Sequence, residues 1–266
     1  MRSPKFNGID VSNFSITRWA VLFGVSIFFL FLPYQDGLFN SFTYSFEMPL
    51  YEAMLFVFSV FLVALAFIAR RLKYDNIEFI FSIGMLLMPF LYWLSSFQAV
   101  SYHNAILMVF VYGLYSVFFL SALSVATTKA ARFASEIILF LSGYAIIIYG
   151  LLASLGHVLD QNAVWFTNNT YRLASVFEYP NTYAGFLLAF FLCAAFAAVN
   201  AKNIIVSAIH SLMLVPIWIS LMLTYSRGAL VLVPLLVLII LVFLRLDRQI
   251  AYAGTLLLSV AAAFVI

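Results

Sequence analysis

Residues 202–229 read KNIIVSAIHSLMLVPIWISLMLTYSRGA, and the 20 residues from Ile204 to Leu223 contain no Asp, Glu, Lys or Arg. A helix of that length rises about 30 Å, the thickness of a bilayer's hydrocarbon core. Lys202 closes one end of the run and Arg227 the other. The segment therefore reads as a helix crossing a membrane. Further apolar windows fall at 17–34, 50–69, 77–94, 105–126, 134–155, 182–199, 229–244 and 250–266. Together they predict an all-α, polytopic integral membrane protein of about nine transmembrane helices, organised as one helical domain over 1–266.

Composition supports the same class. Hydrophobic residues make up 66% of the 266, charged residues only 9%, and the mean hydropathy is +1.11, which a water-soluble domain does not reach. The main partner of this surface is the lipid bilayer. The net charge of +3 is scattered over several connections rather than gathered into a stripe, which excludes nucleic acid as a partner. Cys193 is the single cysteine, so no disulfide framework exists. Met1 to Trp19 has the basic start of a signal peptide, but no small-residue cleavage site follows, and it reads as the flank of an uncleaved first span.

Charge orients the chain. Arg2, Lys5 and Arg18 precede the first window; Arg70, Arg71 and Lys73 follow the second; Lys129 and Arg132 follow the fourth; Lys202 follows the sixth; Arg245 and Arg248 follow the eighth. All of these fall on one side, which the positive-inside rule makes cytoplasmic. The connection 35–49 on the opposite side carries Asp36 and Glu47 without a basic residue, and 95–104 carries no Lys or Arg. The expected topology has the N-terminus in the cytoplasm and the C-terminus outside.

Only Arg172 and Arg227 fall outside. Arg172 belongs to the longest external connection, about 156–181, and Arg227 to the short turn TYSRGA, Thr224 to Ala229. Both precede a helix that runs inward. Pro180 suits the first turn of the sixth span, Asn181 or Thr182 can cap it, and Ser226 can cap the eighth. Gly228 is expected to supply a positive φ for the tight turn. Helix N-termini offer unpaired N–H groups, and guanidinium forks match phosphate oxygens in pairs. Arg172, Arg227, Asn181 and Ser226 thus form a candidate anion site. The alternative is that each arginine snorkels to the interface, or pairs with Glu178 or Asp160, and binds nothing.

Arg172-Leu173-Ala174-Ser175-Val176-Phe177-Glu178-Tyr179-Pro180-Asn181 and Thr224-Tyr225-Ser226-Arg227-Gly228-Ala229 resemble the two external signatures of the O-antigen ligase and O-antigen polymerase family of bacterial membrane glycosyltransferases. The resemblance implies transfer or polymerisation of glycan from a polyprenyl-pyrophosphate carrier to a sugar or glycolipid acceptor at the outer face. It implies contact of Arg172 and Arg227 with the carrier's pyrophosphate. No cofactor and no metal are expected, because pyrophosphate is already a good leaving group and fixed cations can stabilise it. Ser175 stands where that pattern usually has glycine, and Glu178 where it has a small or amide residue. The family's large external loop, with its histidine, does not follow, and the chain ends inside an apolar run. A longer parent chain is the expectation, in which this part alone is not catalytic.

A base for the acceptor hydroxyl must lie outside, and Glu178, His157, Asp160 and His103 are candidates, with Glu178 nearest in sequence to the arginines. His210 lies within the seventh span, where hydrogen bonding to a neighbouring helix is expected. Trp19, Trp93 and Trp165 read as interface anchors. Asn168-Asn169-Thr170 is an external glycosylation sequon. Two other functions use the same arginines: a transporter or flippase for lipid-linked sugars, and a non-catalytic remnant. The near absence of ionisable residues at span centres disfavours ion-coupled transport.

Overall fold

The computed structural model describes residues 5–6, 9–10, 22–24, 26–27, 29–34, 76–125, 129–160, 162–167, 170–243 and 246–265. They are mostly helical. The long helices are α1 (Asn76–Ser96), α2 (Tyr102–Val125), α3 (Lys129–Ser154), α4 (Pro180–Asn200), α5 (Ile204–Leu223), α6 (Arg227–Phe243) and α7 (Leu246–Val265). Four are long and apolar enough to cross a membrane, at Ile77–Ser96, Lys129–Ser154, Pro180–Asn200 and Ile204–Leu223. The protein is a helical, membrane-embedded protein. Of the expected first span, residues 22–24, 26–27 and 29–30 are helical and Leu32–Tyr34 form a 3-10 turn. The expected second span, the connection 35–49, the basic cluster Arg70, Arg71 and Lys73, and the sequon's asparagines lie outside the described residues.

The chain divides into two compact units, Met1–Leu139 and Phe140–Ile266, with the division inside α3. In the first, a two-residue-stranded hairpin pairs β1 (Lys5–Phe6) with β2 (Ile9–Asp10), Lys5 opposite Asp10. Asn7-Gly8 stands between the strands, a dipeptide that favours hairpins. Helices α1 and α2 run antiparallel. The rings of Tyr92 and Tyr112 stack at 4.1 Å, with their hydroxyls 3.0 Å apart. Pro89 inside α1 has no N–H to give the carbonyl of Met85, four residues earlier. The hydroxyl of Ser116 on α2 supplies the missing donor, 2.6 Å from Met85 O and 2.8 Å from Tyr112 O. A backbone acceptor in lipid needs such a replacement.

In the second unit α4 is the central helix, the most buried of the four candidate spans. Ala184, Ala194, Ala195 and Ala198 are buried along it, small enough for neighbouring helices to come close. It packs against α5, α6 and α7. Asn203 caps α5, its Oδ1 accepting the Ile205 N–H at 2.8 Å. At the C-terminal end of α4, Arg248 donates to the carbonyl of Val199, a cation at a helix C-terminus.

Two glycines on α3, seven residues apart and so on one face, receive neighbouring side chains. A Cβ on Gly143 would lie 2.0 Å from the ring of Phe190, and one on Gly150 2.9 Å from Ser175 Cβ and 3.1 Å from the Tyr183 hydroxyl. Helix α3 then ends in a paired C-terminal turn. Gly156, at φ +77°, donates its N–H to Ala153 O, and His157 donates to Leu152 O. The connection that follows contains an antiparallel hairpin of β3 (Val164–Thr167) and β4 (Thr170–Leu173), which hydropathy and charge do not reveal.

Candidate functional site

The hairpin register places Trp165 opposite Arg172 and Phe166 opposite Tyr171. Arg172 therefore lies on a strand, eight residues before α4, and not in the helix-entry segment itself. Its guanidinium makes two bonds. Nε–H donates to the carbonyl of Thr224 at 2.9 Å, and Nη2 donates to Asn181 Oδ1 at 3.0 Å. Asn181 Nδ2 in turn donates to the Tyr179 hydroxyl at 3.1 Å, and the Tyr179 ring meets Trp165 edge-on at 5.5 Å. The chain of contacts closes on itself through the strand pairing of Trp165 with Arg172. Held on two sides, the guanidinium keeps three of its five N–H donors unused among the described residues.

The Thr224 carbonyl is the natural partner for a cation. Thr224 is the C-cap of α5, where carbonyls lack helical partners and carry partial negative charge. It is fully buried; its Oγ1 donates to Leu221 O at 2.7 Å and accepts the Ser226 N–H at 3.2 Å. Arg227 follows as the first residue of α6, exposed, its side chain with no hydrogen bond or ion pair among the described residues. A cation there faces the positive helix end, unfavourable by about 0.3–1 kcal/mol unless an anion joins it.

The structure thus brings Arg172, Asn181 and the Thr224–Arg227 turn together. Pro180 opens its helix as expected, while the capping residues differ from expectation. Tyr179 is the N-cap of α4 through its backbone, Pro180 is the first helical residue, and Asn181 serves Arg172 instead of the helix. Ser226 occupies the position before α6, but its hydroxyl makes no bond among the described residues. Gly228 is in the first turn of α6, and the positive φ belongs to Tyr225, at 49°.

Ser175 and Glu178 also have left-handed backbones, at φ 50° and 51°. Such residues cost about 1–3 kcal/mol each and persist only where surrounding contacts enforce them. Among the described residues every non-glycine positive φ falls in the two segments that carry the arginines. Ser175 is fixed by its hydroxyl, which donates to Ile146 O at 2.9 Å, against the notch left by Gly150. Ser175 therefore holds a backbone that a glycine would adopt without strain.

The remaining candidates are placed as follows. Glu178 is 3% exposed, so the carboxylate is not presented at the surface. Asp160 is also taken by other groups. Its Oδ2 accepts from the Tyr149 hydroxyl at 2.8 Å, and Oδ1 accepts the N–H groups of Asn162 and Ala163 at 2.9 and 3.2 Å. The side-chain hydrogen bonds of Arg172 among the described residues go to Thr224 and Asn181. His157 is exposed just past α3, and His103 lies in the first turn of α2 rather than in a connection. His210 does bond a neighbouring helix, its Nδ1 lying 2.5 Å from the Tyr144 hydroxyl of α3.

Sequence reading missed Thr224, Tyr179 and Trp165 as partners of the arginine. Only the aromatic and β-branched residues of 164–167 and 170–173, with Asn168-Asn169 between them, signalled the hairpin that aligns them. Compared with family models, with curated proteins and with solved structures, the chain has no significant match.

Proposed function

We propose that this chain is an O-antigen ligase-like membrane glycosyltransferase. It has about nine spans, its N-terminus in the cytoplasm, and lies in the cytoplasmic membrane of a bacterium. Its donor is a glycan on a polyprenyl-pyrophosphate carrier at the outer face, and its acceptor a sugar or glycolipid. One observation carries the reading: Arg172 is bonded to the carbonyl of Thr224, so two separate arginine-bearing segments that resemble one family's signatures meet at one place. Enforced strain in the same two segments, and no other described ones, supports it.

In this reading the N–H donors that Arg172 and Arg227 leave unused among the described residues hold pyrophosphate oxygens. The acceptor hydroxyl oxygen forms a bond to the anomeric carbon, and the bond from that carbon to the pyrophosphate oxygen breaks. Negative charge grows on the leaving pyrophosphate as it departs. Cations fixed beforehand stabilise that charge without having to reorganise. The acceptor proton needs a base, and buried Glu178 serves only a hydroxyl that reaches beneath the surface. The arginines, rather than Glu178, are what the proposal rests on.

The test is release of polyprenyl pyrophosphate from the lipid-linked glycan by the purified protein in bilayers with added acceptor. Release that depends on Arg227 supports transfer. Movement of intact lipid-linked glycan across the bilayer, without cleavage, would instead make the protein a flippase.

A further inference from the structure

The connection between Ser154 and Pro180 engages its charged side chains with other groups while several large apolar ones stand exposed. Asp160 is bonded to Tyr149 and two backbone N–H groups, Arg172 to Thr224 and Asn181, and Glu178 is 3% exposed. Ala163, Leu173, Ala174 and Val176 are buried, but Leu155 at 69%, Leu159 at 99% and Phe166 at 85% are exposed. Large exposed apolar groups gathered in one place mark a contact surface.

An exposed apolar flank of α3, a helix of membrane-crossing length, continues into this surface. Ile148 and Leu152 are exposed on α3, and Leu155 extends their stripe at helical spacing, with Leu159 just beyond. On the hairpin, alternation puts Phe166 and Tyr171 on one face and Trp165 and Arg172 on the other. One face thus belongs to the arginine site and the opposite one is aromatic and exposed. Tyr225, in the α5–α6 turn at the same end of the helices, is exposed as well. Both ends of the connection are fixed to helices of membrane-crossing length, so it stays at the bilayer surface.

We infer that this connection is an interfacial membrane-binding surface, with Leu155, Leu159, Phe166 and Tyr171 seated among lipid headgroups and upper acyl chains. Aromatic side chains are favoured at that level, where one edge is wet and the other apolar. The occupant is the bilayer itself, because the exposed stripe is an extension of the surface α3 already shows to lipid. The inference does not depend on what Arg172 and Arg227 bind.

Replacing Cys193 with alanine leaves a chain without cysteine, into which Leu159→Cys, Phe166→Cys or Lys202→Cys is introduced and spin-labelled. All three positions are exposed, so folding is not at stake. The labelled proteins are placed in vesicles of phosphatidylethanolamine and phosphatidylglycerol, and the relaxation by oxygen is compared with that by a water-soluble nickel chelate. The expected result is an oxygen-to-nickel ratio several-fold higher at 159 and 166 than at 202. Ratios equal to that at 202 would place the surface in water and overturn the inference. Labels shielded from both reagents would mean a protein partner or a second copy covers it, which overturns it equally.

Discussion

Arg172 and Thr224 stand 52 residues apart in the chain, and the guanidinium Nε–H of one donates to the carbonyl of the other at 2.9 Å. That carbonyl ends α5 and precedes Arg227 by three residues. A hydrogen bond from a charged donor contributes about 1.5–3 kcal/mol, and this one ties the hairpin to the α5–α6 turn.

The bond requires a fork. Arg172 reaches Thr224 through Nε and Asn181 through Nη2, two partners that one ammonium group cannot span in the same geometry. Arg172→Lys is expected to lower pyrophosphate binding and transfer by about 10- to 100-fold, the loss of one charge-assisted bond. Arg227→Lys, at a position with no bond of its own among the described residues, keeps the charge and loses only a few-fold. Equal effects of the two substitutions on the release of polyprenyl pyrophosphate would show that the fork at Arg172 has no special role.

Asn181 is neutral, which leaves the Arg172 charge available. Asn181→Asp retains an acceptor for Nη2 while neutralising the guanidinium with a carboxylate. Pyrophosphate affinity is expected to fall by about tenfold or more, as a like charge beside an anion site costs at least one tenfold step, with the thermal midpoint unchanged or raised. A variant that binds pyrophosphate as well as the parent would exclude Arg172 from the anion site.

The notches on α3 predict stability. A Cβ at Gly143 meets the Phe190 ring, itself packed against Phe140, Tyr144 and Phe186, and has no room. Gly143→Ala and Gly150→Ala are each expected to cost about 1–3 kcal/mol through overpacking. Gly185→Ala, with open space at its Cα, is the neutral control. Thermal unfolding in detergent, followed by aggregation or by tryptophan emission, ranks the three.

Within the same unit, Tyr144→Phe removes the hydroxyl that meets buried His210. Interhelical hydrogen bonds in membrane proteins average about 0.6 kcal/mol, with a maximum near 1.7. A modest fall in the unfolding midpoint is expected. A fall larger than that of Gly143→Ala would mean that His210 has more than a packing role.

The helices were legible because lipid selects for unbroken apolar runs. The run 204–223 coincides with α5, and 77–94 lies within α1. The run 134–155 missed the start of α3 at Lys129, since hydropathy reports where lipid begins and not where the helix does. Charge singled out Arg172 and Arg227, but their surroundings were hidden. Nothing local in TYSRGA says that Tyr225, and not Gly228, takes the left-handed turn. Nor does any pattern in RLASVFEYPN say that Arg172 reaches Thr224, because that contact arises only when a hairpin and a helix end fold together.

The central claim is that the two arginines hold a lipid-linked pyrophosphate, and the most direct measurement is the affinity of the bilayer-embedded protein for polyprenyl pyrophosphate before and after Arg227→Ala. The Arg227 side chain makes no bond among the described residues, so its loss leaves the fold intact. The account predicts saturable binding by the parent chain and at least a tenfold weaker affinity in the variant, the equivalent of about 1.4 kcal/mol. Binding of equal strength by both, or by neither, contradicts it.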